Sequence, residues 1–106
     1  MYNEKETLWS YTLQLNPQSW TAQNNFGINL FELGRVPEAA EHFEIATRLN
    51  PYFVEAHNNL GFTLECRGRI SEAKEQYEIA LRLNPRYVRA QTNLARLLQN
   101  GQKTVP

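Results

Sequence analysis

Three Asn-Pro pairs constrain this chain more than any other feature: Asn16-Pro17, Asn50-Pro51 and Asn84-Pro85 follow one another at intervals of 34 residues. Each follows a similar tail, Leu13-Gln14-Leu15, Thr47-Arg48-Leu49 and Leu81-Arg82-Leu83. At one matching place stand Asn25-Phe26-Gly27, Asn59-Leu60-Gly61 and Asn93-Leu94-Ala95. Gly34-Arg35 pairs with Gly68-Arg69, Glu38-Ala39 with Glu72-Ala73, Phe43 with Tyr77, and Ala46 with Ala80. Coincidence at a single period over so many positions marks an internal repeat.

The period has a physical reading. Between successive prolines lie two segments with apolar residues at helical intervals. One runs from Val54 to Arg67 with Leu60 and Leu64 on its stripe; the other runs from Ser71 to Leu83 with Ala73, Tyr77, Ala80 and Leu81. Gly68 suits the turn after the first helix, Ser71 is a candidate N-cap, and Pro37 fits the first turn of the matching helix. Asn-Pro ends the second helix, because proline cannot continue it and restricts the residue before it. Small residues (Gly27, Gly61, Ala39, Ala73, Ala46, Ala80) allow close helix approach, and Phe26, Leu60, Phe43 and Tyr77 fill the space opposite.

This helix-turn-helix unit resembles the tetratricopeptide repeat (TPR) over nearly the whole chain. The resemblance implies an all-α superhelix of about six antiparallel helices. Residues 4–15 read as the second helix of a truncated repeat with Trp9 at its aromatic site; 20–53 and 54–87 read as complete repeats, 88–100 as a lone first helix and 101–106 as a tail. A start and a stop in mid-repeat are expected of a piece of a longer array. In the resemblance, the usual first-helix Trp is replaced by Gln23, His57 and Gln91. The opening, from Glu6-Thr7-Leu8-Trp9 to Asn24-Asn25-Phe26-Gly27, also resembles the TPR tail of some polytopic, glycosyltransferase-like membrane proteins.

Composition narrows the function. Eleven basic and eleven acidic side chains cancel, against the basic excess of a nucleic-acid binder. Residues 1–50 hold three basic and six acidic side chains and residues 51–106 hold eight and five, so the chain is mildly dipolar. The single Cys66 excludes an internal disulfide and a cysteine-based zinc site. The uncharged stretch from Thr7 to Phe31 is too rich in Asn, Gln, Ser and Thr to cross a membrane, which takes roughly 20 mostly apolar residues.

The TPR resemblance implies that first helices line a concave groove. The helical period puts Thr21, Asn24, Asn25 and Ile28 on one exposed face of the first, Glu55, Asn58, Asn59 and Phe62 on the second, and Arg89, Thr92, Asn93 and Arg96 on the third. Asn25, Asn59 and Asn93 recur once per repeat. Asparagine is a mediocre helix former, but its amide both donates and accepts and can pair with the backbone of an extended peptide. The set is similar to the asparagine ladder of the TPR superhelix in O-linked N-acetylglucosamine transferase. Ile28 and Phe62 would add apolar contact, and Arg89 with Arg96 would receive a carboxylate. A carboxylate clamp of the chaperone-binding TPR type is not expected, because Asn24 and Ile28 stand where Lys and Asn are wanted.

The expected function is a protein-interaction scaffold that holds a protein or peptide ligand without cofactor or metal. Neither His42, placed on an outer face, nor His57 has a Cys, Asp or His at ligand or triad spacing. Cys66 falls near a helix end on the groove side, and Glu41, Glu44, Glu75 and Glu78 on solvated faces. Two alternatives stand beside this: a spacer that self-associates through Leu97 on the open last helix, and a recruiting tail of a membrane glycosyltransferase-like protein.

Overall fold

The computed structural model describes residues 4–103. They form six helices: α1 (Glu4–Leu15), α2 (Trp20–Glu32), α3 (Val36–Leu49), α4 (Val54–Cys66), α5 (Ile70–Leu83) and α6 (Val88–Lys103). No strand occurs among the described residues. Helix α6 passes through Gly101, where the sequence suggested a tail; residues 104–106 of that tail lie outside the described residues.

Two kinds of turn set the geometry. Within a repeat the first helix ends in a Schellman motif: Gly34 N–H donates to the Phe31 carbonyl and Arg35 N–H to that of Leu30, both at 2.9 Å. Gly68 and Arg69 repeat the pattern on Glu65 and Leu64. Both glycines sit at positive φ, 80° and 77°, where a β-carbon would be strained. Between repeats, Asn50 and Asn84 are extended, as a residue before proline must be. Their side-chain oxygens accept from Tyr52 N–H at 3.2 Å and Arg86 N–H at 3.1 Å, which closes the turn. Ser71 is not the cap expected of it: α5 begins at Ile70 with Arg69 at the N-cap. Ser19 does cap α2, accepting from Ala22 N–H at 3.2 Å.

Each helix packs against its neighbours in sequence. In addition, α2 touches α4 and α4 touches α6, whereas α1, α3 and α5 make no such contacts with one another. The first-helix layer is therefore the tighter, inner side of a curved array, which is elongated at 50 × 31 × 18 Å. The core runs continuously through Leu30, Phe43, Leu60, Leu64, Tyr77 and Leu97. Leu97, expected to offer an open face for self-association, is 5% exposed and belongs to that core. Its place is the buried side of α6, and Leu98 and Val88 are the exposed apolar residues there.

Candidate functional site

The asparagines of the inner layer do not all face solvent. Asn24 and Asn58 are 1% and 4% exposed, buried between successive first helices. Asn59 Nδ2 donates to Asn24 Oδ1 at 3.0 Å, and Asn93 Nδ2 donates to Asn58 Oδ1 at 2.9 Å. The same rung thus joins α2 to α4 and α4 to α6. Asparagine recurs here partly to tie one inner helix to the next, a packing reason that helix propensity alone does not disclose. Asn24 also donates to Glu55 Oε1 at 3.5 Å, and one repeat later the Glu55 position is held by Arg89. Asn25, Asn59 and Asn93 are half-buried and border recesses that open to solvent.

Three recesses line up along the inner layer. The first, about 390 Å³, lies between α1 and α2 and includes Lys5, Trp9, Asn25, Ile28 and Glu32. The second, about 270 Å³, is bounded by Ile28, Phe31, Glu32, Phe43, Asn59 and Phe62. The third, about 300 Å³, lies between α4 and α6 and includes Asn59, Phe62, Arg89, Thr92 and Asn93. Ile28 and Glu32 are shared by the first two, and Asn59 and Phe62 by the last two, so the recesses form one track. Thr21, by contrast, is exposed and borders none of them.

The two arginines expected to act together are separated in role. Arg96 forms an ion pair with Glu65 at 2.7 Å, donates to Asn93 Oδ1 at 2.9 Å and sits 5.5 Å from the centre of the Phe62 ring. Tyr77 donates its hydroxyl to Glu65 Oε1 at 2.7 Å. Burial, and then this hydrogen bond to a carboxylate, hold the Tyr77 phenol well above its ordinary value; Glu65 likewise raises Arg96. Arg96 is engaged by the fold, whereas Arg89 is exposed and makes no ion pair among the described residues. Sequence reasoning passed over Phe31, Glu32, Glu65 and Tyr77 as site-forming residues. The signal was present in the 34-residue register, where Phe31 aligns with Glu65.

The histidines are structural links. His42 is not on an outer face: it packs on Phe26, ring centres 4.6 Å apart, with Nδ1 2.7 Å from Gln23 Oε1. Gln23 Oε1 can only accept, so Nδ1–H donates to it, and the Gln23 amide in turn donates to the Pro17 carbonyl at 3.3 Å; burial lowers the His42 pKa. In the next repeat His57 Nε2 lies 2.8 Å from the Pro51 carbonyl and Nδ1 2.8 Å from Gln76 Oε1. Gln91 donates to the Pro85 carbonyl at 2.7 Å. The three residues that stand in place of the usual Trp therefore each tie a first helix to its preceding turn. Burial, with Glu65 nearby, pushes the Cys66 thiol up, away from the reactive thiolate. No group of three or more metal-ligating side chains occurs among the described residues.

Family models for the tetratricopeptide repeat match residues 54–87, and for a TPR repeat residues 27–65. No curated protein sequence matches the chain. A solved Thermobaculum terrenum O-GlcNAc transferase mutant is 30% identical with a TM-score of 0.83, covering 88% of this chain; the chain spans 18% of that enzyme. The first TPR of Spaghetti (RPAP3) bound to an HSP90 peptide is 22% identical with a TM-score of 0.86, over 90% of this chain and 75% of that one. The second TPR domain of human RPAP3, in complex with an HSP70 peptide, is 20% identical with a TM-score of 0.82, over 87% and 77%. The last two likenesses are of fold.

Proposed function

Since the chain is a tetratricopeptide-repeat domain, we propose that it is a protein-interaction scaffold holding an extended segment of a partner along the inner layer of α2, α4 and α6. The carrying observation is the continuous track of three recesses, each bordered by at least one half-buried asparagine of the set Asn25, Asn59 and Asn93. An asparagine amide offers two donors and two acceptor lone pairs, so a rung to the neighbouring helix leaves capacity for a ligand's backbone. Each such bond contributes about 0.5–1.5 kcal/mol net, so three give weak binding that needs side-chain contacts beside it. Arg89, at one end of the track, would receive an acidic group or a carboxylate. The proposed role is binding, and no residue is assigned a catalytic part. Peptides named with the RPAP3 domains are ligands of those proteins; here they make peptide binding a reasonable class of activity for the same fold.

Titration with a pool of unstructured peptides, followed in nitrogen-15 amide spectra, tests this. The side-chain amides of Asn25, Asn59 and Asn93 are expected to shift together. Shifts confined to α3 and α5, with silent inner-layer asparagines, would sink it.

A second reading is association end to end. It is favoured by exposed Leu8, Tyr11 and Leu15 on α1 and by Val88 and Leu98 on α6. Sedimentation over a hundredfold range of concentration checks it, with a constant monomer mass as the result against it.

A further inference from the structure

The middle recess is chemically unlike its counterpart one repeat later. Moving Ile28, Phe31, Phe43 and Phe62 on by 34 residues gives Phe62, Glu65, Tyr77 and Arg96. In the later position an ion pair joins Glu65 to Arg96 and the Tyr77 hydroxyl donates to Glu65. In the earlier one three phenylalanines leave an open apolar pocket of about 270 Å³. Phe31 and Phe62 touch each other, ring centres 5.5 Å apart and planes inclined at 52°, and both line the pocket. An apolar cavity of about 150 Å³ already holds a benzene ring, so the pocket has room for one large side chain.

Charge is graded along the track. Glu32 is exposed, borders the pocket and forms no ion pair among the described residues, although Lys5 shares the adjoining recess with it. Toward α6 the next charged liner is Arg89. Packed helices lie about 8–10 Å apart, roughly three residues of extended chain.

From these observations we infer that the pocket lined by Phe31, Phe43 and Phe62 is a specificity anchor. It takes one large apolar side chain of an extended peptide that is basic on the Glu32 side and acidic about three residues away, on the Arg89 side. The inference rests on the groove reading above and adds sequence selectivity, which backbone pairing by asparagine cannot supply. At the matching places one repeat later charged Glu65 and Arg96 stand where Phe31 and Phe62 do here, so one apolar residue is read and its position along the array is fixed.

The probes are capped nonapeptides of Gly and Ser with Leu at the centre, Lys two residues to one side and Glu three to the other, made in both chain directions. Controls carry Ser at the centre or the two charges exchanged. Binding is measured by fluorescence anisotropy, with amide spectra to place each peptide. The Leu peptide is expected to bind at least about tenfold more tightly than the Ser peptide in one direction, and more tightly than its charge-exchanged form. Phe62→Ala is expected to abolish the Leu-over-Ser preference while leaving the weak Ser-peptide shifts at Asn25 and Asn93. Glu32→Lys changes only an exposed side chain, so it tests the same site should Phe62→Ala fail to fold; with Arg89 it makes both ends of the track basic, and it is expected to abolish the preference over the charge-exchanged peptide. Equal binding of Leu and Ser peptides in the groove would overturn the anchor and leave the groove reading intact. Peptides that shift no inner-layer residue would overturn both.

Discussion

The two full repeats, α2–α3 and α4–α5, follow the same backbone plan and differ where their inner helices meet the next one. Both keep a glycine under an aromatic ring, Gly27 under Phe43 and Gly61 under Tyr77. Both keep an asparagine rung, and both use a Gln–His pair to tie the first helix to the second. That pair is exchanged between repeats: Gln23 on α2 with His42 on α3, then His57 on α4 with Gln76 on α5. The seam beyond the first repeat holds an apolar pocket, and at the matching places beyond the second stand the Glu65–Arg96 ion pair and the Tyr77 hydroxyl. A duplicated unit thus holds fixed what backbone approach demands and varies what its surface presents. In α6, Ala95 stands at the glycine position and is exposed.

The largest effect is expected from forcing the polar seam toward the apolar one. Glu65→Phe removes the acceptor of the Tyr77 hydroxyl and the partner of Arg96 at once. Leaving buried polar groups unpaired costs about 1–3 kcal/mol, so guanidinium unfolding should show a loss of about 2–3 kcal/mol. Replacing the partners together costs far less than stranding them. The triple variant Glu65→Phe, Tyr77→Phe, Arg96→Phe copies the first seam and is expected to recover most of the loss. A triple variant no more stable than the single one would show that the seams are not interchangeable.

Somewhat smaller is the effect of adding a methyl group under each ring. A β-carbon on Gly61 would lie 2.7 Å from Tyr77, and one on Gly27 2.6 Å from Phe43. Distance does not separate them; freedom to move does. The Tyr77 ring is held by its hydroxyl on Glu65, whereas Phe43 borders the open pocket and can tilt into it. Overpacking costs about 1–3 kcal/mol, and alanine returns close to 1 kcal/mol of helix propensity. Gly61→Ala is therefore expected to destabilise by about 2 kcal/mol and Gly27→Ala by less than about 1 kcal/mol. Equal losses would mean that the Tyr77–Glu65 bond does not restrain the ring.

Much of the fold was legible in the chain itself, because the Asn-Pro turns, the glycines and the apolar stripes are backbone requirements that recur at one period. The half-buried asparagines beside the recesses were legible for the same reason. What escaped lay between repeats. Helical period alone put Asn24 and Asn58 on an exposed face, but a neighbouring inner helix covers that side and turns them into rung acceptors. Spacing within one helix sets Arg96 beside Arg89, while its ion-pair partner, Glu65, lies on another helix. His42 was placed on an outer face for want of its contact with Gln23, 19 residues earlier.

The rungs differ as well, and so should their removal. Asn24 accepts from Asn59 and donates to Glu55. Asn58 accepts from Asn93, whose own oxygen is already engaged by Arg96. Asn24→Ala is expected to cost about 1–2 kcal/mol, and Asn58→Ala less, since the Arg96 contact still positions Asn93. Urea midpoints of the two variants compare them directly; the reverse order would show that the Glu55 contact contributes nothing.

The smallest difference is expected from the exchanged Gln–His pairs, and it depends on pH. Burial lowers the pKa of His42 in the folded chain below its ordinary value of 6.5. The unfolded chain then binds a proton more readily than the folded one as pH falls below about 6.5. The stability contributed by neutral His42 is thus present above that pH and is lost as pH falls toward the folded-state pKa. His42→Gln removes the titrating group and leaves an amide able to donate to Gln23. Its stability, measured by urea unfolding from pH 7.5 to pH 5, is expected to fall less steeply than that of the parent chain. The double variant Gln23→His, His42→Gln rebuilds in the first repeat the pair found in the second. It is expected to lie within about 1 kcal/mol of the parent at pH 7.5, because it restores a hydrogen-bonded Gln–His pair in place of the one removed. A large loss in the double variant would mean that the pair is fixed in each repeat by its own surroundings, with Phe26 against the His42 ring as the first contact to suspect.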